Sequence, residues 1–362
     1  MRLLALASSS GSGARHGVPD PSGRAGRQAT LVDSSGPAMS LLPSAAMADL
    51  NLRTVTRAQG NNRALLDGTV TPKGAGFEFV DVPVLVQGFR RMVRTLEFDV
   101  CEMALTTYLT AKAHGVAFTA VPAFLVRGFH HNAITVDTRH GISQPKDLEG
   151  RKVGVNRGYT VTTGVWARSI LAGEYGVDLD SVTWVLSGDE HVAEYRPPAN
   201  VVPAPAGRTL DEMLTSEELA AVVGVEIDSA DTRPLIPHPD EAAHAALQQR
   251  GLWPINHLVV IRDELLAEHP DLGRRVFDAF AESKHGYVQQ LRAGTLPQET
   301  ATDRMHRTVM ELTGWDDPLP YGIEPNRQVL EDLIRSAVDQ KILDRAPRIE
   351  DAFTPDTRDV VA

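Results

Sequence analysis

The chain has 362 residues, 42% of them apolar and 23% charged, with a formal net charge of -11. That suits two domains or one large one in an ordinary soluble globular protein, and it speaks against a nucleic-acid partner, which needs clustered Lys and Arg that no window supplies. A single cysteine, Cys101, excludes an internal disulfide framework and a cysteine-based zinc site, and its apolar neighbours mark a buried, inert thiol.

Residues 1–46 are rich in Ser, Gly, Ala and Pro without periodicity and are expected to form a disordered N-terminal extension. The apolar patch at residues 3–7 is shorter than a secretory core and no stop-transfer run follows. Export and membrane insertion are therefore not expected, the cytoplasm is the expected compartment, and Met47 offers an alternative start.

Folded sequence begins near Asp49 with LNLRTVTRAQ, alternating enough for a strand, then a polar turn through Gly60, Asn61, Asn62 and Arg63 and a short helix ending at Gly68. Residues 77–82 predict a second strand and 86–96 a helix whose basic face carries Arg90, Arg91 and Arg94. Strand, helix, strand with short links is the pattern of a parallel sheet covered by helices, in which ligands collect at the carboxyl ends of the strands. Arg57, Asn61, Arg63, Glu102 and Thr106 fall just past such ends, on one rim.

The stretch FDVCEMALTTY at 98–108 organises this part of the chain: an apolar strand interrupted by Glu102, feeding a helix that stops at Gly115. Thr106 or Thr107 is expected to cap the first turn, whose unpaired N–H groups make a seat for a carboxylate or phenolate. A buried Glu102 facing a bound anion would have its pKa raised. The plainer alternative is a structural ion pair with a neighbouring Arg.

Further strands are predicted at 119–124, 132–136, 152–155, 181–186, 219–225 and 253–261, with a helix from about 160 to 175 stopped by Gly176 and apolar on two sides. Residues 187–208 and 232–240 are polar or Pro-rich and are expected to be loops. Helices dominate from Asp263 onward, the last, at 326–342, being amphipathic with Pro325 at a first-turn position. The halves predict two α/β domains, with paired crossings near 129–134 and 254–259 and a cleft between them. Domain I comprises 47–131 plus 257–362 with the C-terminal helices, and domain II comprises 132–256.

This outline resembles the two-lobed type II periplasmic-binding-protein fold, whose second domain opens with a phrase like ISQPKDLEGRKVGV at 142–155. A closer resemblance is to the 4,5-dihydroxyphthalate decarboxylase family. It is carried by NNRALLDGTV at 61–70, FDVCEMALTTYL at 98–109, RGFHHNAITV at 127–136, GYTVTTGVWARSILAGEYGV at 158–177, WPINHLVVIRD at 253–263 and YGIEPNRQVLE at 321–331. Residues 187–240 depart from the family, as does His130, where an Arg usually precedes the histidine.

The resemblance implies a carboxy-lyase for a dihydroxylated aromatic acid, of the kind that turns 4,5-dihydroxyphthalate into protocatechuate and carbon dioxide. An aromatic carboxylate para to a hydroxyl leaves once its ring carbon is protonated, so the site needs a proton donor, a partner for the phenol and cations for the carboxylates. The expected catalytic residues are His257 or His131 as proton donor and Glu102 as partner or as base on the hydroxyl. The expected substrate contacts are Arg63 as carboxylate clamp, with Asn61 and Thr106, and from the second domain Arg157, Tyr159 and Thr160. No cofactor is expected, although His131, His257 and Glu102 would be the ligands if a divalent metal took part. The expected partner is a small aromatic carboxylate, with neither nucleic acid nor membrane, and a homo-oligomer is admitted. A solute-binding protein for an aromatic or dicarboxylic acid, serving a transporter, is the alternative function. Each histidine also has an ordinary structural alternative, and Arg63 one as a local partner of Asp67.

Overall fold

The computed structural model describes residues 50–362, and the extension expected at 1–46 lies outside them. The first four strands are β1 (Leu50–Val55), β2 (Ala75–Phe79), β3 (Val100–Ala104) and β4 (Phe118–Arg127). Between them lie the helices α1 (Arg63–Leu66), α2 (Leu85–Thr95) and α3 (Leu105–Ala113). In α2 the buried Gly88, Phe89, Met92 and Val93 form one stripe, opposite Arg90 and Arg94, and the helix ends at Leu96 in a left-handed conformation (φ 49°). All five residues of β3 are buried, as befits a strand covered on both faces.

The chain then builds a second sheet from β5 (Ile134–Asp137), β6 (Lys152–Val155), β7 (Thr183–Leu186), β8 (Val201–Pro203), β9 (Ala221–Val223) and β10 (Thr232–Pro234). Its helices are α4 (Thr162–Tyr175), α5 (Leu210–Thr215) and α6 (Pro239–Arg250). The strand β11 (Ile255–Arg262) returns to the first sheet, giving the orders β2-β1-β3-β11-β4 and β10-β5-β9-β6-β7-β8. The outward and return crossings touch: the Gly128 N–H donates to Pro254 O (3.2 Å) and the Arg127 guanidinium to Trp253 O (2.9 Å).

The first sheet departs from the expected parallel plan, because β11 enters it antiparallel, between β3 and β4. The strands β8 and β10 lie in stretches read from sequence as loops. Both are three-residue edge strands ending in proline, too short for a periodic signal and built as sheet edges are. The expected threonine cap of α3 is also absent. Ala104 is the N-cap, and the Thr106 hydroxyl is engaged elsewhere.

After β11 come α7 (Asp263–Glu268), α8 (Leu272–Ala293), α9 (Ala301–Thr313) and α10 (Arg327–Asp339). The last packs on α4 of the second lobe, where Ser169 and Ser336 share a hydrogen bond (2.8 Å). Just beyond α10, the Gln340 amide accepts from the fully buried Arg168 (2.7 Å) and donates to Val165 O (3.0 Å). That embrace explains why α4 is apolar on two sides.

Three buried histidines set the response of this fold to acid. Burial is the first cause that lowers His130, His191 and His306 from an ordinary 6.5 to about 4. They are neutral inside but take a proton on unfolding, so between these values the unfolded chain binds more protons. Stability is therefore full above pH 6.5 and is lost as pH falls towards 4, by up to about 1.4 kcal/mol per pH unit for each group. Thermal melts from pH 8 to 4.5 are expected to be level at first and to decline steeply below about 6.5; melting temperatures level down to pH 5 would contradict this.

Candidate active site

The site is built on the pairing of β3 with β11. In the antiparallel register His257 faces Ala104 and Val259 faces Glu102. Glu102 and His257 are thus diagonal neighbours on one face of the sheet. Register shifts in the β11–β4 pairing on both sides of His257 bend the strand there. His257 Nδ1 lies 2.6 Å from Glu102 Oε1 and donates to it, which leaves Nε2 as the nitrogen free to meet a ligand.

Glu102 is 1% exposed. Its second oxygen accepts from Thr56 Oγ1 (2.7 Å), the Arg57 N–H (2.9 Å) and Gln59 Nε2 (3.4 Å). Burial, the largest influence, pushes this carboxyl up, but the bond from His257 and those from Thr56 and Arg57 together hold it below its ordinary value. The sequence-based expectation of a raised pKa is corrected: Glu102 is an ionised carboxylate with both oxygens engaged. Its Oε1 accepts from His257 alone, and its other oxygen accepts from three donors.

His257 lines a cavity of about 270 Å³ whose walls come from both lobes, a size suited to one small ligand. Arg57, Phe89 and Thr107 contribute from the first lobe, and Arg157, Thr163 and His191 from the second. Phe89 meets the His257 ring edge-on, at 5.2 Å between centroids. Among the described residues neither the Arg57 nor the Arg157 guanidinium has a hydrogen-bond or ion-pair partner. The Arg157 backbone is left-handed (φ 69°), a conformation that costs about 1–2 kcal/mol in a non-glycine residue. Its N–H donates to Ser187 Oγ (2.7 Å) and its carbonyl accepts from the Gly188 N–H (3.3 Å), which holds the side chain over the cavity it lines.

The structure brings His257, Glu102 and Arg157 to one place and sends the other expected site residues elsewhere. His131 is 1% exposed and pairs with Glu174 (3.0 Å), which also meets Arg250. His131 therefore stands apart from Glu102 and His257. Among the described residues no three groups of ligand type converge, so the expected metal set of His131, His257 and Glu102 is not assembled. Arg63, the expected carboxylate clamp, lines a separate groove with Tyr287 and Asp303, because α1 carries it to the far side of the turn. Asn61 is buried and its amide donates to Leu125 O (2.9 Å), tying the turn to β4.

Thr106, Tyr159 and Thr160 are buried as well. The Thr106 hydroxyl donates to Thr160 O (2.6 Å) and lies 2.8 Å from Thr162 Oγ1, so it joins the lobes. The N–H groups of Tyr159 and Thr160 and the Thr160 hydroxyl (2.6 Å) all donate to the Glu190 carboxylate. The turn just ahead of α4 is thus closed on the protein's own Glu190 carboxylate, while Thr162 and Thr163 of the helix's first turn line the cavity. A Cβ at Gly158 would lie 2.6 Å from Glu190 Oε2, so a larger residue there would displace that carboxylate.

Three cavity residues escaped assignment from sequence. From sequence Arg57 falls on the rim without a role, and neither Phe89 nor His191 carries a motif signal of its own. His191 follows the carboxyl end of β7, so the strand-end rule was the available signal; the polar, Pro-rich character of 187–208 concealed it.

Two α/β lobes joined by paired crossings, with an antiparallel return strand inside the first sheet and a His–Glu pair facing the interlobe cavity, define a two-lobed type II periplasmic-binding-protein-like fold carrying C-terminal helices. No protein-family model matches the chain. It is 31% identical over 308 residues to the 4,5-dihydroxyphthalate decarboxylase of Comamonas testosteroni, covering 79% of this chain and 90% of the relative. It is 34% identical over 199 residues to the 4,5-dihydroxyphthalate decarboxylase of Pseudomonas putida, covering 52% of this chain and 75% of that one. The chain belongs to the 4,5-dihydroxyphthalate decarboxylase family. Among solved structures it is similar to the periplasmic aliphatic sulphonate binding protein of Escherichia coli, with 12% identity, a TM-score of 0.47 and coverage of 85% of this chain and 98% of that one. The desulfurization enzyme DszB is similar at 13% identity and a TM-score of 0.47, covering 84% and 96%.

Glu102 and His131 give opposite expectations on substitution. Glu102→Gln keeps the shape but removes the charge opposite His257, and is expected to lower kcat by about 10²–10⁴ with substrate affinity largely kept. His131→Ala is expected to leave kcat within about twofold and to cost about 1–3 kcal/mol of stability, because Glu174 loses a buried partner. Steady-state kinetics beside thermal melts separate the two, and a larger kinetic loss in the His131 variant would reverse the assignment.

Proposed function

We propose that this protein decarboxylates a dihydroxylated phthalate, releasing carbon dioxide and leaving a dihydroxybenzoate. The observation that carries the reading is the His257–Glu102 pair on the wall of a small cavity that also holds two guanidiniums, one from each lobe, without a partner among the described residues. Both curated relatives are named 4,5-dihydroxyphthalate decarboxylase, which favours this reading over a carrier serving a transporter. On this reading the substrate is a small aromatic carboxylate and the enzyme works in the cytoplasm. Among the described residues no helix is long and apolar enough to cross a membrane.

Arg57 and Arg157 take the two neighbouring carboxylates. Gripped from opposite lobes, these are turned out of the ring plane, which weakens their conjugation with the ring and favours cleavage. The hydroxyl para to the departing group pushes electrons to the ring carbon that bears it. Imidazolium His257, held in orientation by ionised Glu102, delivers its Nε2 proton to that carbon. The carbon–carbon bond then breaks, its electron pair restores the aromatic ring, and carbon dioxide leaves. His257 regains a proton from water, so each turnover consumes one proton. Glu102 is a positioning residue here: it fixes the imidazole and stabilises its cation without touching substrate.

The test is carbon dioxide release from 4,5-dihydroxyphthalate by the purified protein. His257→Ala is expected to bind the acid and release nothing, and equal turnover by this variant would sink the assignment. Arg57→Met and Arg157→Met are each expected to raise KM about ten- to a hundredfold, about 1.4–2.7 kcal/mol. An unchanged KM in both would remove the clamp. We further propose that the step needs no resident metal or organic cofactor, the reading supported by the commitment of His131 to Glu174. Activity is expected to survive dialysis against EDTA; a loss restored by a divalent cation would refute this.

A further inference from the structure

The segment Asp189–Glu190–His191 is fastened from both lobes. Asp189 meets Arg90 (2.7 Å) and Arg94 (3.0 Å) of α2, and Arg94 also donates to the carbonyls of Glu190 (2.8 Å) and His191 (3.2 Å). Glu190 is held from the other side by the backbone of Tyr159 and Thr160, just ahead of α4. Between these anchors the His191 imidazole, 3% exposed, lines the cavity that His257 lines. Phe89 makes edge contacts with both rings, at 5.2 Å to His257 and 6.3 Å to His191.

His191 is poorly satisfied where it sits. Nδ1 lies 3.4 Å from Thr107 Oγ1, at the limit of a hydrogen bond, and buried Nε2 has no partner among the described residues. Burial together with the Arg90, Arg157 and Arg94 guanidiniums keeps the ring neutral. An imidazole carried on a segment whose backbone is anchored from both lobes, with hydrogen-bonding capacity unused beside a ligand cavity, is organised for a group from outside the protein. A neutral imidazole is a weak partner for a carboxylate, and Arg57 and Arg157 are better placed for those. It suits a phenol, which both donates and accepts.

We propose that His191 is a specificity-determining residue that hydrogen-bonds a ring hydroxyl of the bound acid. The proposal rests on the decarboxylase reading of the same cavity and adds to it the group that separates hydroxylated phthalates from phthalate itself. A site built to hydrogen-bond a hydroxyl rejects the analogue that lacks it, since its own polar group is then left unpaired.

The experiment compares wild type, His191→Leu and His191→Gln by calorimetric binding of 4,5-dihydroxyphthalate and of phthalate, and by turnover of the dihydroxy acid. Wild type is expected to prefer the dihydroxy acid. His191→Leu is expected to lose about ten- to a hundredfold in affinity for it while binding phthalate as before, with a matching rise in KM. His191→Gln, which keeps a donor and an acceptor, is expected to recover part of the preference. Equal losses for both acids would make His191 merely structural, and an unchanged preference in His191→Leu would also overturn the proposal. Because binding is read apart from turnover, a wild type that binds selectively but releases no carbon dioxide would refute the decarboxylase reading and leave the His191 assignment standing. A wild type that binds neither acid would overturn both.

Discussion

Everything at the centre of this protein depends on one buried charge being kept buried. Glu102 lies in the middle of a sheet with 1% of its surface exposed, where an uncompensated carboxylate would be prohibitively costly. Four donors answer it: one imidazole, one hydroxyl, one backbone N–H and one side-chain amide. Three of these come from residues 56–59, just past the end of β1, so the same carboxylate that orients His257 also pins the loop that carries Arg57. Catalytic geometry and the local fold are held by one set of bonds.

The lobes are tied together by more than their crossings. Thr106 reaches from α3 to the start of α4, Asp189 reaches to α2, and Arg168 of α4 is gripped by Gln340 beyond α10. These ties fix the separation of the two walls, and hence of Arg57 and Arg157, one on each side. Glu190 closes the turn just ahead of α4, and the first residues of that helix, Thr162 and Thr163, line the cavity together with Arg57 and Arg157.

The comparison of sequence with structure divides along chain distance. Local signals were legible. The αL stop at Gly176, the apolar character of β3, the amphipathic α2 and the last helix follow from periodicity, propensity and capping within a few residues. The two-lobed outline and the family were legible from motifs scattered along the chain. Of the expected site residues, His257 and Arg157 line the cavity and Glu102 pairs with His257. Arg63 and Asn61 share the turn that follows β1 with Arg57, yet a short helical turn carries one to a different groove and buries the other.

By itself, the sequence determined most strands and helices, because those choices rest on steric and hydrophobic patterns read over neighbouring residues, and it missed only elements as short as the edge strands β8 and β10. It also carried both members of the His–Glu pair, 155 residues apart, without stating that they meet. Only the tertiary structure decided that β11 lies antiparallel against β3 in the register that makes Glu102 and His257 neighbours, that His131 turns to Glu174, and that His191 faces the cavity. Those outcomes depend on which distant surfaces bury each other and which buried polar groups find partners, quantities that no local pattern contains.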